Sequence, residues 1–109
     1  MENQGFAKAT VFNAVSEVDY SSNGIISKRI LDKKTGNITL FSFDKGQRLS
    51  EHTAPFDAVV QVIEGQAEIL IAGKPNKLQA GETIIMPAGI PHAVNGIEKF
   101  KMILIMIKE

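Results

Sequence analysis

A chain of 109 residues, 44% hydrophobic and 22% charged, has the size and composition of one globular domain, long enough to bury about two-thirds of the surface its unfolded form exposes. Twelve basic and twelve acidic residues cancel, so no field of one sign gathers nucleic acid or an anionic membrane, and neither is an expected partner. The absence of cysteine excludes disulfides, thiolate metal sites and cysteine nucleophiles.

From the start, residues 1–9 read as a mobile tail ahead of a single domain that takes the rest of the chain. The first thirty residues hold no apolar segment behind a positive start, so no secretory signal is expected. Val11, Val15 and Val18 suit a short amphipathic turn, a loop or an edge strand equally well. Turn signals then recur about every eight to twelve residues, at Asn23-Gly24, Gly36-Asn37, Lys45-Gly46, Gly65, Gly73-Lys74-Pro75, Ala80-Gly81, Ala88-Gly89 and Asn95-Gly96. Short runs rich in Ile, Val, Phe and Thr lie between them, a rhythm that belongs to an all-β sandwich or barrel.

Strands are predicted at residues 25–31 and 38–43, at 57–64 and 66–72 as a tight hairpin about Gly65, and at 82–86, 91–95 and 99–108. The basic cluster Lys28, Arg29, Lys33 and Lys34 spreads along the first strand and its turn as a solvated edge. Alternation puts Ala58, Val60 and Val62 on one face and Asp57, Val59, Gln61 and Ile63 on the other. The last strand is apolar on both faces: Phe100, Met102, Leu104 and Met106 on one, Ile103, Ile105 and Ile107 on the other. One face fits a barrel interior; the other needs an N-terminal segment or a second subunit, and a homodimer is the expectation. The longest apolar run, Met102 to Ile107, is far shorter than the roughly 18 residues of a membrane helix, so a cytoplasmic location is expected.

Only two histidines exist, and both sit among spaced glycines. His52 lies between Gly46 and Gly65, and His92 follows Gly81, Pro87 and Gly89. In these stretches the sequence resembles the cupin superfamily. The first cupin motif has a Gly, five residues, His-x-His, three or four residues, Glu, six residues and Gly. Gly46, His52 and Gly65 match it, but Ala54 stands for the second His and Ala58 for the Glu. The second motif has a Gly, five residues, Pro-x-Gly, two residues, His, three residues and Asn. It is matched from Gly81 through Pro87 and Gly89 to His92, with Asn95 one residue early. The stretch His52-Thr-Ala-Pro-Phe-Asp with Ile90-Pro-His92 looks like a group of small single-domain cupins whose members mostly have no assigned activity.

The resemblance implies a jelly-roll-like double-stranded β-barrel over one domain, with its motif core at 46–96. It also implies a metal site inside, for which this chain supplies His52 and His92 as ligands to Fe, Mn, Ni, Cu or Zn. Two imidazoles fall short of the three protein ligands usual for a catalytic metal. Asp57, Glu51 and Gln61 have the wrong parity to complete the set unless a β-bulge near Pro55 reverses the phase. With no metal, the histidines are neutral, hydrogen-bonded side chains beside a pocket for a small, partly apolar molecule, lined by Ala54, Ala58, Val60, Val62, Met86 and Met102. Two functions therefore stand. One is a metal-dependent isomerase, decarboxylase or dioxygenase acting on a small organic molecule. The other is a non-catalytic binding module.

Overall fold

The computed structural model describes residues 6–109 as an antiparallel β-structure with one short 3-10 helix, Ala14–Glu17. Its strands are β1 (Ile25–Lys33), β2 (Gly36–Phe43), β3 (Arg48–His52), β4 (Ala58–Ile71), β5 (Lys74–Gln79), β6 (Thr83–Met86), β7 (His92–Asn95) and β8 (Phe100–Ile107). The tail expected over residues 1–9 lies outside the described residues as far as residue 5. From there the chain is tied down, the Phe6 N–H donating to the Ile30 carbonyl at 3.0 Å.

The predicted hairpin about Gly65 is instead one 14-residue strand, β4, that serves two sheets. Its first half pairs with β6 on one side and β8 on the other, and β8 continues to β2 and β1. Its second half pairs with β5 and with β7, which continues to β3. Gly65 marks the passage between them. The pairing with β8 shifts register between Val62 and Glu64, and Gly65 follows with φ +78°. A Cβ at Gly65 would collide with the Lys99 carbonyl, so glycine is required by both conformation and space. A glycine between two apolar runs reads as a turn; here it bends a strand across the barrel. Strand β5 has no counterpart in the sequence prediction, because Lys74-Pro-Asn-Lys-Leu-Gln79 lacks the β-branched pattern and only its Leu78 is buried.

Alternation along β4 and β8 holds as read. Ala58, Val60, Val62, Phe100 and Met102 are buried between the sheets, while Gln61 is exposed. Phe43 and Phe100 stack with centroids 4.6 Å apart and, with Ile69, Val60 and Val62, fill one end of the interior. On the outer face, the segment before β1 straps this same end. Lys101 donates to the Val15 carbonyl at 2.6 Å, lies 3.7 Å from Glu64, and sits 5.0 Å from the Tyr20 ring. Ser42 donates to the Asp19 carbonyl at 2.7 Å, and Leu40 is fully buried. The Tyr20 hydroxyl donates to Glu64 at 2.6 Å; burial, then that carboxylate, pushes the phenol's pKa upward.

Candidate functional site

At the other end of the interior the sheets leave a cavity of about 120 Å³. His52 closes β3 and His92 opens β7, and the two residues are direct register partners. The turn from β6 to β7 delivers His92. Gly89, at φ +75°, donates to the Ala54 carbonyl at 2.8 Å, and the Ala88 N–H donates to Asp57 Oδ1 at 2.8 Å. Asp57 thus anchors the Pro87-Ala-Gly89 turn instead of approaching the histidines. The bulge considered near Pro55 lies earlier, between Leu49 and His52. It turns both of these side chains, three residues apart, toward the cavity.

The two rings meet edge to face, centroids 4.4 Å apart, with Nε2 of one 3.2 Å from Nε2 of the other. Each Nδ1 faces a carbonyl two residues upstream: Ser50 at 2.8 Å for His52 and Ile90 at 3.3 Å for His92. A carbonyl only accepts, so the tautomer that suits these contacts carries its proton on Nδ1, and in that neutral tautomer Nε2 keeps a lone pair. With both rings in that tautomer, two lone pairs face one another across 3.2 Å. The pair is completed by whatever electron-poor centre sits between or beside them: a proton, a ligand's donor hydrogen or a cation. His52 is exposed at the mouth, whereas His92 is 5% exposed. Burial pushes the His92 pKa below its usual value, and the neighbouring His52 adds to the effect. The Ile90 carbonyl opposes it.

Of the residues expected to line the pocket, Ala54, Ala58, Met86 and Met102 do so together with both histidines. Val60 and Val62 do not. Each second residue along β4 moves about 6.6 Å deeper, and these two are fully buried in the packed core. Leu49, Val94, Leu104 and Met106 complete the lining. Leu104 and Met106 were legible as the inward parity of the last strand, and Val94 as the same parity as His92. Leu49 was hidden by the bulge. Gly46 and Gly81 lie in the β2–β3 and β5–β6 turns. Asn95, offset by one in the motif, donates to Glu68 at 3.1 Å.

A family model of the Cupin domain matches residues 39–108. The chain belongs to the cupin family. No curated protein matches it. Among solved structures, a conserved Streptococcus pyogenes protein of unknown function is 37% identical to this cupin, with a TM-score of 0.92 over 97% of this chain and 93% of that one. A cupin 2 conserved barrel domain protein from Leptotrichia buccalis is 42% identical, with a TM-score of 0.87 over 89% of this chain but 47% of its own. A cupin superfamily protein from Desulfitobacterium hafniense, 23% identical, covers both chains fully at a TM-score of 0.90 and shows the shared fold.

The residues do not fit the four-ligand metal centre that the cupin motifs imply. Ala54 and Ala58 occupy two of its four places, and neither side chain has a donor atom. Among the described residues no group of three or more His, Cys, Asp or Glu could hold an ion. Nor does any helix have the length and apolarity to cross a membrane, among those residues.

Proposed function

We propose that this cupin is a binding module holding one small, electron-poor occupant in the open end of its barrel, anchored by the His52–His92 pair. The observation that carries the reading is the opposed pair of Nε2 atoms at 3.2 Å, with both Nδ1 atoms committed to carbonyls. Such a pair offers two acceptors and no donor, so it selects a hydroxyl or N–H hydrogen, or a cation. The rest of the lining is alanine, valine, leucine and methionine, which suits an apolar body or a soft one. At about 120 Å³ the cavity is of the scale that takes one small ring, since an engineered apolar cavity of roughly 150 Å³ holds benzene.

The metal-dependent isomerase, decarboxylase and dioxygenase chemistries implied by the cupin resemblance need more protein ligands than the two imidazoles supply. Binding needs only what the chain supplies. The test is imidazole nitrogen NMR on the intact protein, titrated with phenol and separately with Ag(I). The expected result is Nδ1–H on both rings and movement of both Nε2 signals with at least one of the two additions. Rings that carry their protons on Nε2, or that respond to neither addition, would overturn the proposal.

A further inference from the structure

Ala58, which stands where the motif has a carboxylate, sits beside sulfur. Ala58 is the register partner of Met86 on β6 and of Met106 on β8, so the three form one row across neighbouring strands. Opposed side chains in such a row have Cβ atoms about 4.5–5.5 Å apart, and a methyl group at the centre leaves both flanking thioethers free to turn inward over it. Both methionines line the same cavity as His52 and His92. The cavity that Ala58 lines is thus also lined by two thioethers and two imidazoles.

We propose that His52, His92, Met86 and Met106 form a soft N2S2 site whose occupant is a monovalent d¹⁰ metal ion, Cu(I). The inference rests on the histidine anchor described above and names its ligand class. Three observations support it. Thioethers select Cu(I), whereas carboxylate and water suit hard divalent ions, and Ala58 in place of the motif's carboxylate leaves a donor set without a hard ligand. The imidazoles are already oriented as ligating histidines are, each donating its other N–H to a backbone carbonyl. Their separation also suits a shared ion. Two nitrogens about 2.0–2.1 Å from one tetrahedral metal lie about 3.3–3.4 Å apart, by zinc–imidazole bond lengths. The structure has them at 3.2 Å. A neutral donor set further suits a single positive charge, which is less costly to place in an apolar cavity than a double one.

The experiment is an anaerobic competition between the intact protein and a chromogenic Cu(I) chelator, repeated with Ag(I) as a redox-inert stand-in. The expected result is one Cu(I) per chain, with affinity falling by about tenfold or more in each of Met86→Leu and Met106→Leu, because leucine conserves the volume and removes the donor. In parallel, methionine methyl carbon NMR of the unmodified chain should show the Met86 and Met106 signals shifting on Ag(I) addition. This readout does not depend on any variant folding. Histidine signals that respond while both methionine signals stay still, or affinity unchanged in the Met86→Leu/Met106→Leu double variant, overturn the sulfur site and leave the histidine anchor intact. Silence of histidines and methionines alike to both ions overturns the metal proposal, and the response to phenol then decides the anchor by itself.

Discussion

The two ends of this barrel are built on opposite terms, inside and out. At the Phe43–Phe100 end the interior is filled by stacked rings, and the outer face is strapped by the segment carrying Val15, Val18 and Tyr20. At the Ala58 end the interior is hollow, and the outer face is bare. There the residues Leu31, Ile38, Ile105, Val59 and Ile85 are successive register partners across β1, β2, β8, β4 and β6. Leu31 is 37% exposed and Ile85 61%, with Ile107 at 59% beside them. One end therefore spends its apolar residues on holding the fold, and the other keeps them available. The same β4 and β8 run through both, so side-chain size at a few positions along them sets much of the difference.

The largest break in this contrast should come at the packed end. Phe100→Ala is expected to cost about 3–5 kcal/mol, read by urea unfolding, because two sheets close over that ring. Gly65→Ala should cost at least about 3 kcal/mol, since left-handed strain adds to a backbone collision. At the open end Gly89→Ala, with equally positive φ but nothing within 4 Å, should cost only about 1–2 kcal/mol. A smaller cost for Gly65→Ala than for Gly89→Ala would refute the account of how β4 passes between the sheets.

The bare outer row sharpens the comparison. The expected state is a homodimer in which a second copy covers that row, with a mass near twice the 11.9 kDa of the chain by light scattering. Ile85→Lys should return it to the mass of one chain with little loss of fold stability. A single-chain mass for the unmodified protein at micromolar concentration would remove the dimer.

His52→Ala should change stability by no more than about 0.5 kcal/mol, because the ring is exposed, while abolishing occupancy of the cavity. The smallest expected effect is on pH dependence. His92 titrates below the ordinary 6.5 because burial, then His52, disfavours its charged form. Between the two values the unfolded chain binds more protons than the folded one. This contribution to stability is therefore complete above about pH 6.5 and is lost as the pH falls through that value toward the folded one. His92→Gln should flatten that acid limb of the unfolding profile, and His52→Ala should move it part of the way back by removing the repulsion.

Much of this was legible in the sequence where a side chain's parity alone decides its face. The inward set of β4, the two-sided apolarity of β8 and the approach of His52 to His92 all follow from alternation and glycine spacing. What escaped was whatever depends on a broken phase or on depth. The bulge between Leu49 and His52 places two side chains of opposite parity in one cavity, and nothing in Arg48-Leu-Ser-Glu-His52 announces it. Val60 and Val62 share the parity of Ala58 but lie deeper, and parity carries no measure of distance along the barrel. Gly65 signals a positive φ, which a turn and a bent strand require alike. Strand β5 pairs along an edge with mostly polar side chains, so its formation is dictated by β4 and not by its own residues.

Strand β4 also sets an order of events during synthesis. All four of its partners, β5, β6, β7 and β8, follow it in the chain, and β2 likewise waits for β8. Only the β1–β2 and β4–β5 hairpins can pair soon after they are made. Until Phe100–Ile107 arrives, β2 and the first half of β4 each present an unpaired, largely apolar edge, of the kind that recruits a neighbouring chain. The last strand is thus a closing element, and a chain interrupted before it leaves open two edges that the finished protein pairs with β8.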